Sequence, residues 1–151
     1  MSKRGPRTKL STSGYPTSIT RCAIALLLVI VGIAWLIVYY HSARDLYGTK
    51  HVAHTLSWMT DLKRWNYVIG FGLILIGMMV SAHPKTPVGR GRGVVIGMLF
   101  SFLFGLLYVV VYYFLGDNLT KVPVMNDLNQ YNLLVGVGFM AVGFSFATKW
   151  E

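Results

Sequence analysis

Residues 59–72 read MTDLKRWNYVIGFG, and residues 125–138 read MNDLNQYNLLVGVG. The two stretches align without a gap at a constant offset of 66 positions, from Met59 to Met125. The same offset carries Gly77 onto Gly143 and Ser81 onto Ala147. Apolar segments resemble one another through composition alone, but this shared order of polar, aromatic and glycine residues is harder to obtain by chance. Because a repeat at a fixed period sets the architecture, the sequence predicts a tandem duplication of one small unit.

Each predicted unit contains two long apolar runs. Four runs lack charged residues and histidine: Cys22–Tyr40, Trp65–Ala82, Val94–Leu115 and Tyr131–Ala147. As a helix, the first would reach about 28 Å, which nearly spans the roughly 30 Å hydrocarbon core of a bilayer. The composition, 54% hydrophobic and 13% charged, is unlike that of a soluble domain of this size. We predict an all-α integral membrane protein with four transmembrane helices, arranged as two parallel two-helix repeats.

The first runs of the two units also match. Val38-Tyr39-Tyr40 closes one and Val111-Tyr112-Tyr113 closes the other, at an offset of 73 positions. We therefore divide the chain into a disordered basic cytoplasmic tail (1–20), a first two-span repeat (21–84), a cytoplasmic linker (85–93) and a second two-span repeat (94–151). Two units of the same orientation predict a pseudo-twofold axis along the membrane normal.

The distribution of Lys and Arg predicts the orientation in the membrane. Nine of the 14 lie in the tail, the linker and the C-terminus, and five lie in the two intervening loops. Because cytoplasmic segments carry the excess of Lys and Arg, both termini and the linker are predicted to be cytoplasmic. The net charge of +9 then partly reflects this topology, and we do not predict nucleic-acid binding from it.

Small residues recur at a spacing of four along the predicted spans. Gly97, Ser101 and Gly105 form such a ridge in the third span. Lipid supplies no hydrophobic drive between helices, so small residues that let backbones approach are what hold spans together. We predict packing surfaces here, either inside the bundle or against a partner's span. In the second span Gly77 and Ser81 have the same spacing, as do their repeat equivalents Gly143 and Ala147 in the fourth span. Gly70 and its equivalent Gly136 are further small residues of these two spans.

The best-matched element lies where an outer loop becomes a helix. It reads Trp65-Asn66-Tyr67 in the first unit and Tyr131-Asn132 in the second. Asn is a favoured N-cap residue, so we predict that Asn66 and Asn132 cap these helices, with Asp61 and Asp127 assisting. The aromatic residues are typical of the headgroup level of a membrane.

The residue types argue against catalysis. The predicted spans contain no ionisable side chain of the kind that marks proton relays or ion paths. His51 and His54 are the only closely spaced histidines, and no carboxylate or cysteine completes a metal site with them. Cys22 is the only cysteine, which excludes an intramolecular disulfide. We predict neither a cofactor nor an enzymatic activity.

With these residues laid out, the chain resembles the CrgA family of small actinobacterial cell-division membrane proteins, which are septation inhibitors. The resemblance lies in the basic N-terminus, the loop residues Leu56-Ser57-Trp58-Met59, the element Trp65-Asn66-Tyr67 and a Gly-rich second span. The ending Thr148-Lys149-Trp150 also fits. Family members typically have one two-span unit, so this chain resembles two units joined head to tail. The second unit departs from the pattern at Tyr131, which replaces the leading Trp.

The resemblance implies a non-enzymatic adaptor, here a four-helix membrane bundle, that recruits or restrains the septal machinery. Its expected partners are the membrane proteins of the division ring and the septal peptidoglycan synthases. Apart from the resemblance, the apolar spans predict contact with the lipid bilayer, and the duplication of the unit suggests association with a further copy of the chain. The expected location is the bacterial plasma membrane, with enrichment at the division septum. Two alternatives stay open: a small four-span transporter or channel-like protein, and a lipid-organising membrane protein.

Overall fold

A computed structural model describes residues 17–43 and 56–148. In these ranges the chain forms helices and turns and no strand. The predicted tail up to residue 16 and the pair His51 and His54 lie outside the described residues. The six α-helices are α1 (Ile19–Val38), α2 (Ser57–Leu62), α3 (Trp65–Ser81), α4 (Arg92–Leu115), α5 (Pro123–Leu128) and α6 (Tyr131–Ala147).

The four long helices correspond to the four predicted apolar runs. Helix α1 begins at Ile19 rather than Cys22, because the Ser18 side chain accepts a hydrogen bond from the Arg21 amide at 3.4 Å and caps the helix. A π-helical extension, Tyr39–Ala43, continues α1, and the apolar helix Ile19–Ser42 spans 24 residues, as does α4. Both are long and apolar enough to cross a membrane, whereas α3 and α6 are apolar helices of 17 residues.

Within each unit the two long helices are antiparallel and cross at paired glycines. A Cβ atom on Gly32 of α1 would lie 2.7 Å from the carbonyl oxygen of Gly70 in α3. In the second unit, a Cβ atom on Gly105 of α4 would lie 2.5 Å from the carbonyl oxygen of Gly136 in α6. These backbones are therefore in direct contact, which is the packing that small residues permit between membrane helices.

The two units meet through α3 and α6, which lie at the centre of the molecule, while α1 and α4 lie at its periphery. Helices α3 and α6 run parallel, since Tyr67 contacts Asp127 near one end and Leu75 contacts Gly138 further along. We call this α3–α6 contact the seam. It encloses the main cluster of buried side chains, to which α3 contributes Tyr67 and Ile74, and α6 contributes Val135 and Phe139.

The seam departs from the predicted twofold relation. Val142 of α6 is 1% exposed, whereas its repeat equivalent Ile76 in α3 is 52% exposed. Conversely, Tyr67 of α3 is 1% exposed, whereas its equivalent Leu133 in α6 is 40% exposed. A twofold axis would bury equivalent residues equally, because both partners would present the same face. The two units therefore meet through different faces, and the contact is heterologous.

Candidate functional site

The matched loop-to-helix elements share one backbone conformation. In the first unit the short helix α2 ends at Leu62, and Lys63 then turns the chain with a φ of 44° before α3 begins. In the second unit α5 ends at Leu128, and Asn129, at the equivalent position, turns the chain with a φ of 48°. Positive φ is uncommon for residues other than glycine, so its presence at both positions shows that the repeat extends to the backbone.

The two buried asparagines hold these elements together. The side-chain amide of Asn66 donates to the carbonyl oxygens of Met59 at 2.6 Å and Lys63 at 3.1 Å. The amide of Asn132 donates in the same way to Met125 at 2.7 Å and Asn129 at 2.6 Å. Each asparagine therefore ties a long helix to the end of the short helix before it.

This geometry corrects the predicted N-capping role. The N-cap residues are Arg64 for α3 and Gln130 for α6, and neither makes a side-chain capping bond. Asn66 and Asn132 lie inside the helices, fully buried, and donate hydrogen bonds instead of accepting them from free amides. The carbonyls at the end of a short helix lack intrahelical partners, and a buried amide that reaches them satisfies both groups.

The side-chain oxygen of the buried asparagine accepts a hydrogen bond in the second unit but not in the first. The hydroxyl of Tyr108 in α4 donates to Oδ1 of Asn132 at 2.9 Å. At the offset of 73 positions, the equivalent of Tyr108 is Trp35 in α1. Both Nε1 of Trp35 and Oδ1 of Asn66 are buried without a hydrogen-bond partner among the described residues. A donor and an acceptor thus lie unpaired in the first unit where the second unit has a hydrogen bond.

Exchange of the residue at position 35 tests this comparison. We expect Trp35→Tyr to be more stable than Trp35→Phe by about 1 kcal/mol, because the tyrosine hydroxyl can pair with Oδ1 of Asn66 as Tyr108 pairs with Asn132. Tyr108→Phe should lose about the same amount, and detergent-denaturation midpoints followed by circular dichroism would measure both differences. Equal midpoints for Trp35→Tyr and Trp35→Phe would show that the two units differ in shape at this position.

A polar contact across the seam joins the two elements. The hydroxyl of Tyr67 donates to Oδ2 of Asp127 at 2.7 Å, and the ring of Tyr67 packs edge-on against Tyr39 at a centroid distance of 5.1 Å. Asp127 therefore bonds the other unit instead of assisting a helix cap. The equivalent pair, Leu133 and Asp61, cannot form the same bond, because leucine has no hydroxyl.

A groove lies beside the seam at the same end of the molecule. It has a volume of about 170 Å³ and is lined by Arg64, Trp65, Val68, Leu128 and Tyr131. Trp65 and Tyr131, which are repeat equivalents, are both exposed here. Arg64 provides a cation at the edge of otherwise apolar walls. Such a surface can accept an apolar segment with an acidic group at its end.

The predicted glycines lie at helix contacts. Gly97 faces the ring of Phe146, and a Cβ atom on Gly143 would lie 3.1 Å from Cβ of Phe102. Ser101 is fully buried, and its hydroxyl has no partner among the described residues. Gly77 faces Val29 and the carbonyl oxygen of Ala25. Ser81 donates to the carbonyl oxygen of Met78 at 2.7 Å, and Ala147 is half-buried at the end of α6.

The sequence analysis missed several residues of this region. It assigned no role to Trp35 or Tyr108, although the offset of 73 positions already paired them. It also did not anticipate that Tyr67 and Asp127 bond across the two units. Among the described residues, no group of three or more His, Cys, Asp and Glu side chains is placed to hold a metal ion.

Comparison with known proteins gives two matches to one family model along this chain. The model described as Cell division protein CrgA matches residues 2–85 and again residues 82–151. The two matches overlap at residues 82–85 and together cover almost the whole chain.

Individual relatives agree with the family model. Cell division protein CrgA of Corynebacterium glutamicum (strain R) is 37% identical over 75 residues, which cover 50% of this chain and 72% of the relative. The protein of the same name from Mycobacterium sp. (strain KMS) is 29% identical over 75 residues, covering 50% of this chain and 77% of the relative. Cell division protein CrgA of Streptomyces avermitilis is 39% identical over 54 residues, which cover 36% of this chain and 60% of the relative. No solved structure matches the chain significantly.

Proposed function

The chain belongs to the CrgA family of cell division proteins, and we propose that it is a non-enzymatic membrane adaptor of the division machinery. The main support for this proposal is that both copies of the family unit present the same loop-to-helix element at one end of the molecule. The asparagine ties fix these elements rigidly, and the exposed pair Trp65 and Tyr131 lies beside them. Rigid, exposed aromatic residues are typical anchors of protein–protein contacts.

We further propose that all four long helices cross the bacterial plasma membrane. Helices α3 and α6, with 17 residues each, reach about 26 Å and would use their aromatic ends at the headgroup level. The excess of Lys and Arg in the tail and linker supports cytoplasmic termini. The substitution Arg90→Cys in a Cys22→Ala background should then introduce a thiol that reacts with a membrane-impermeant maleimide only after lysis. Labelling of intact cells would reverse the proposed orientation.

The proposed partners are membrane proteins of the division ring and of septal peptidoglycan synthesis. The groove lined by Arg64, Trp65 and Tyr131 would receive an apolar segment of such a partner near the outer membrane surface. Arg64 favours a segment that carries a carboxylate, because opposite charges across a contact select partners and orient them. The tail and linker provide a second contact region on the cytoplasmic side.

Localisation in growing cells tests this function. We expect a fluorescent protein fused to the N-terminus, expressed at the native level, to form a band at the septum with the division ring. Trp65→Ala should reduce the septal signal several-fold, since an aromatic anchor commonly contributes about 2 kcal/mol or more. Phe114→Ala removes a ring that is also exposed at this end of the molecule but lies outside the groove, and it is the matched control. An even outline of the cell through the whole cycle would refute the adaptor function.

A further inference from the structure

The seam joins two different helix surfaces, one from each unit. Each unit also has the equivalent of the surface that the other unit uses, and these two surfaces do not take part in the seam. We call the α3 side of the seam face A, which comprises Tyr67, Phe71, Leu75 and Met78, and the α6 side face B, which comprises Val135, Phe139, Val142 and Phe146. Two of the face B residues also pack against α4 of their own unit, Phe139 on Phe104 and Phe146 on Gly97. Because the units are repeats, each has both faces. The first unit uses its face A and the second unit uses its face B.

The unused faces are apolar and accessible. The second unit's face A consists of Leu133, Val137, Ala141 and Phe144, and all four are exposed. The first unit's face B consists of Ile69, Leu73, Ile76 and Val80, of which Ile76 is exposed and the others are half-buried. Phe102 of α4 packs edge-on against Phe144 at a centroid distance of 5.5 Å, but most of the Phe144 side chain remains exposed.

The space beside Gly72 shows that the unused face B still has room for a side chain from another helix. Its equivalent, Gly138, receives Leu75 across the seam, and a Cβ atom on Gly138 would lie 2.8 Å from Cδ1 of Leu75. A Cβ atom on Gly72 would have no neighbour within 4 Å in the part of the chain that the structure describes. The surrounding unit is otherwise alike, since α1 meets α3 at the same glycine positions as α4 meets α6.

We propose that copies of this chain associate head to tail, with the unused face A of α6 in one copy seated on the unused face B of α3 in the next. A heterologous contact between like units repeats until it closes on itself, and the covalent chain contains only one such contact. The occupant is thus a second copy of this chain, specified by continuity with the seam. This inference rests on the proposed placement of α3 and α6 in a membrane.

The contact between copies lacks two features of the seam. Ala141 replaces Leu75 as the side chain that enters beside the glycine, and Leu133 replaces Tyr67 as the neighbour of the aspartate. The aspartate of the unused face is Asp61, which is exposed on α2. The association between copies is therefore weaker than the seam, which also gains from the covalent link between units. Copies assemble reversibly while each chain stays intact.

Two variants with opposite expected effects test the proposal. Förster transfer between donor- and acceptor-tagged full-length chains is measured in vesicles of phosphatidylcholine and phosphatidylglycerol. Gly72→Leu fills only space that is open within one chain, so the fold is kept and association should weaken at least about tenfold. Ala34→Leu makes a comparable change at an exposed position of α1 and should have no effect.

Leu133→Tyr should strengthen association by up to about tenfold, because its hydroxyl meets Asp61 of the next copy as Tyr67 meets Asp127. Leu133→Phe, which adds the ring without the hydroxyl, is the matched control, and Asp61→Ala should abolish the gain. Wild-type transfer in both Gly72→Leu and Leu133→Tyr would overturn the proposal, as would a wild-type chain that shows no transfer at high protein density. Flotation of the protein with the vesicles is scored separately, so failed membrane insertion is distinguished from failed association.

Discussion

Gly105→Leu is expected to separate α4 from α6 and to unfold the second unit. A Cβ atom at this position would lie 2.5 Å from the carbonyl oxygen of Gly136 and 2.8 Å from the amide nitrogen of Met140. Both neighbours are backbone atoms that no change of side-chain rotamer can move. The expected loss is about 3 kcal/mol, at the upper end of the range for overpacked positions. Denaturation in detergent, followed by circular dichroism, measures it.

Two further glycine variants give this prediction its controls. Gly32→Leu places the same clash in the first unit, 2.7 Å from the carbonyl oxygen of Gly70, and should cost a similar amount. Gly72→Leu adds the same side chain to open space and should cost nothing. Wild-type stability of Gly105→Leu would mean that α4 and α6 do not cross at these glycines.

Asn132→Leu is expected to lower the free energy of unfolding by about 3 kcal/mol. The substitution keeps the volume but removes three hydrogen bonds, each contributing about 1 kcal/mol, and it leaves the Tyr108 hydroxyl unpaired in an apolar surrounding. Asn66→Leu removes two recorded bonds and should cost about 2 kcal/mol. Denaturation midpoints of the two variants give the comparison.

A double-mutant cycle isolates the third bond. In a Tyr108→Phe background, the difference of about 1 kcal/mol between Asn132→Leu and Asn66→Leu should disappear, because the hydroxyl that distinguishes the two units is gone. If the difference persists in that background, it arises from packing around the asparagines and not from Tyr108.

Septal localisation and head-to-tail association are separate proposals. An adaptor that reaches the septum through its groove concentrates there, and a weak contact between copies then gains from the higher local density. Septal recruitment without association would leave the adaptor function in place and remove only the self-assembly. Association in vesicles without septal recruitment would leave the contact between copies and remove the adaptor function.

The helical segments and their repeat follow from the sequence alone. A long uncharged run forms a helix where water is absent, because the helix pairs every backbone N–H and C=O group within the segment. The predicted run Tyr131–Ala147 accordingly has the same bounds as α6. The small residues at a spacing of four also predicted packing surfaces, but the sequence analysis neither identified Gly32 nor paired Gly105 with Gly136. Family membership also follows, because the loop-to-helix element is a local pattern of residues at fixed spacing.

The side chains that join segments distant in the chain were not predictable in this way. In the sequence, Asn66 and Asn132 stand at the start of apolar runs, where an N-cap is expected. Only the placement of α2 and α5 shows that their side-chain amides donate to the short helices. Nor does spacing reveal that Tyr108 reaches Asn132, since that contact depends on how α4 lies against α6.

The sequence by itself determined the duplication, the four apolar helices and the rows of small residues, because each is a local or periodic property of the chain. The tertiary structure alone decided which faces of α3 and α6 form the seam. Both helices are apolar on nearly every side, so their hydrophobic pattern has no preferred direction and does not distinguish a partner helix from lipid. The faces that meet are those on which Leu75 lies beside Gly138 and Tyr67 donates a hydrogen bond to Asp127.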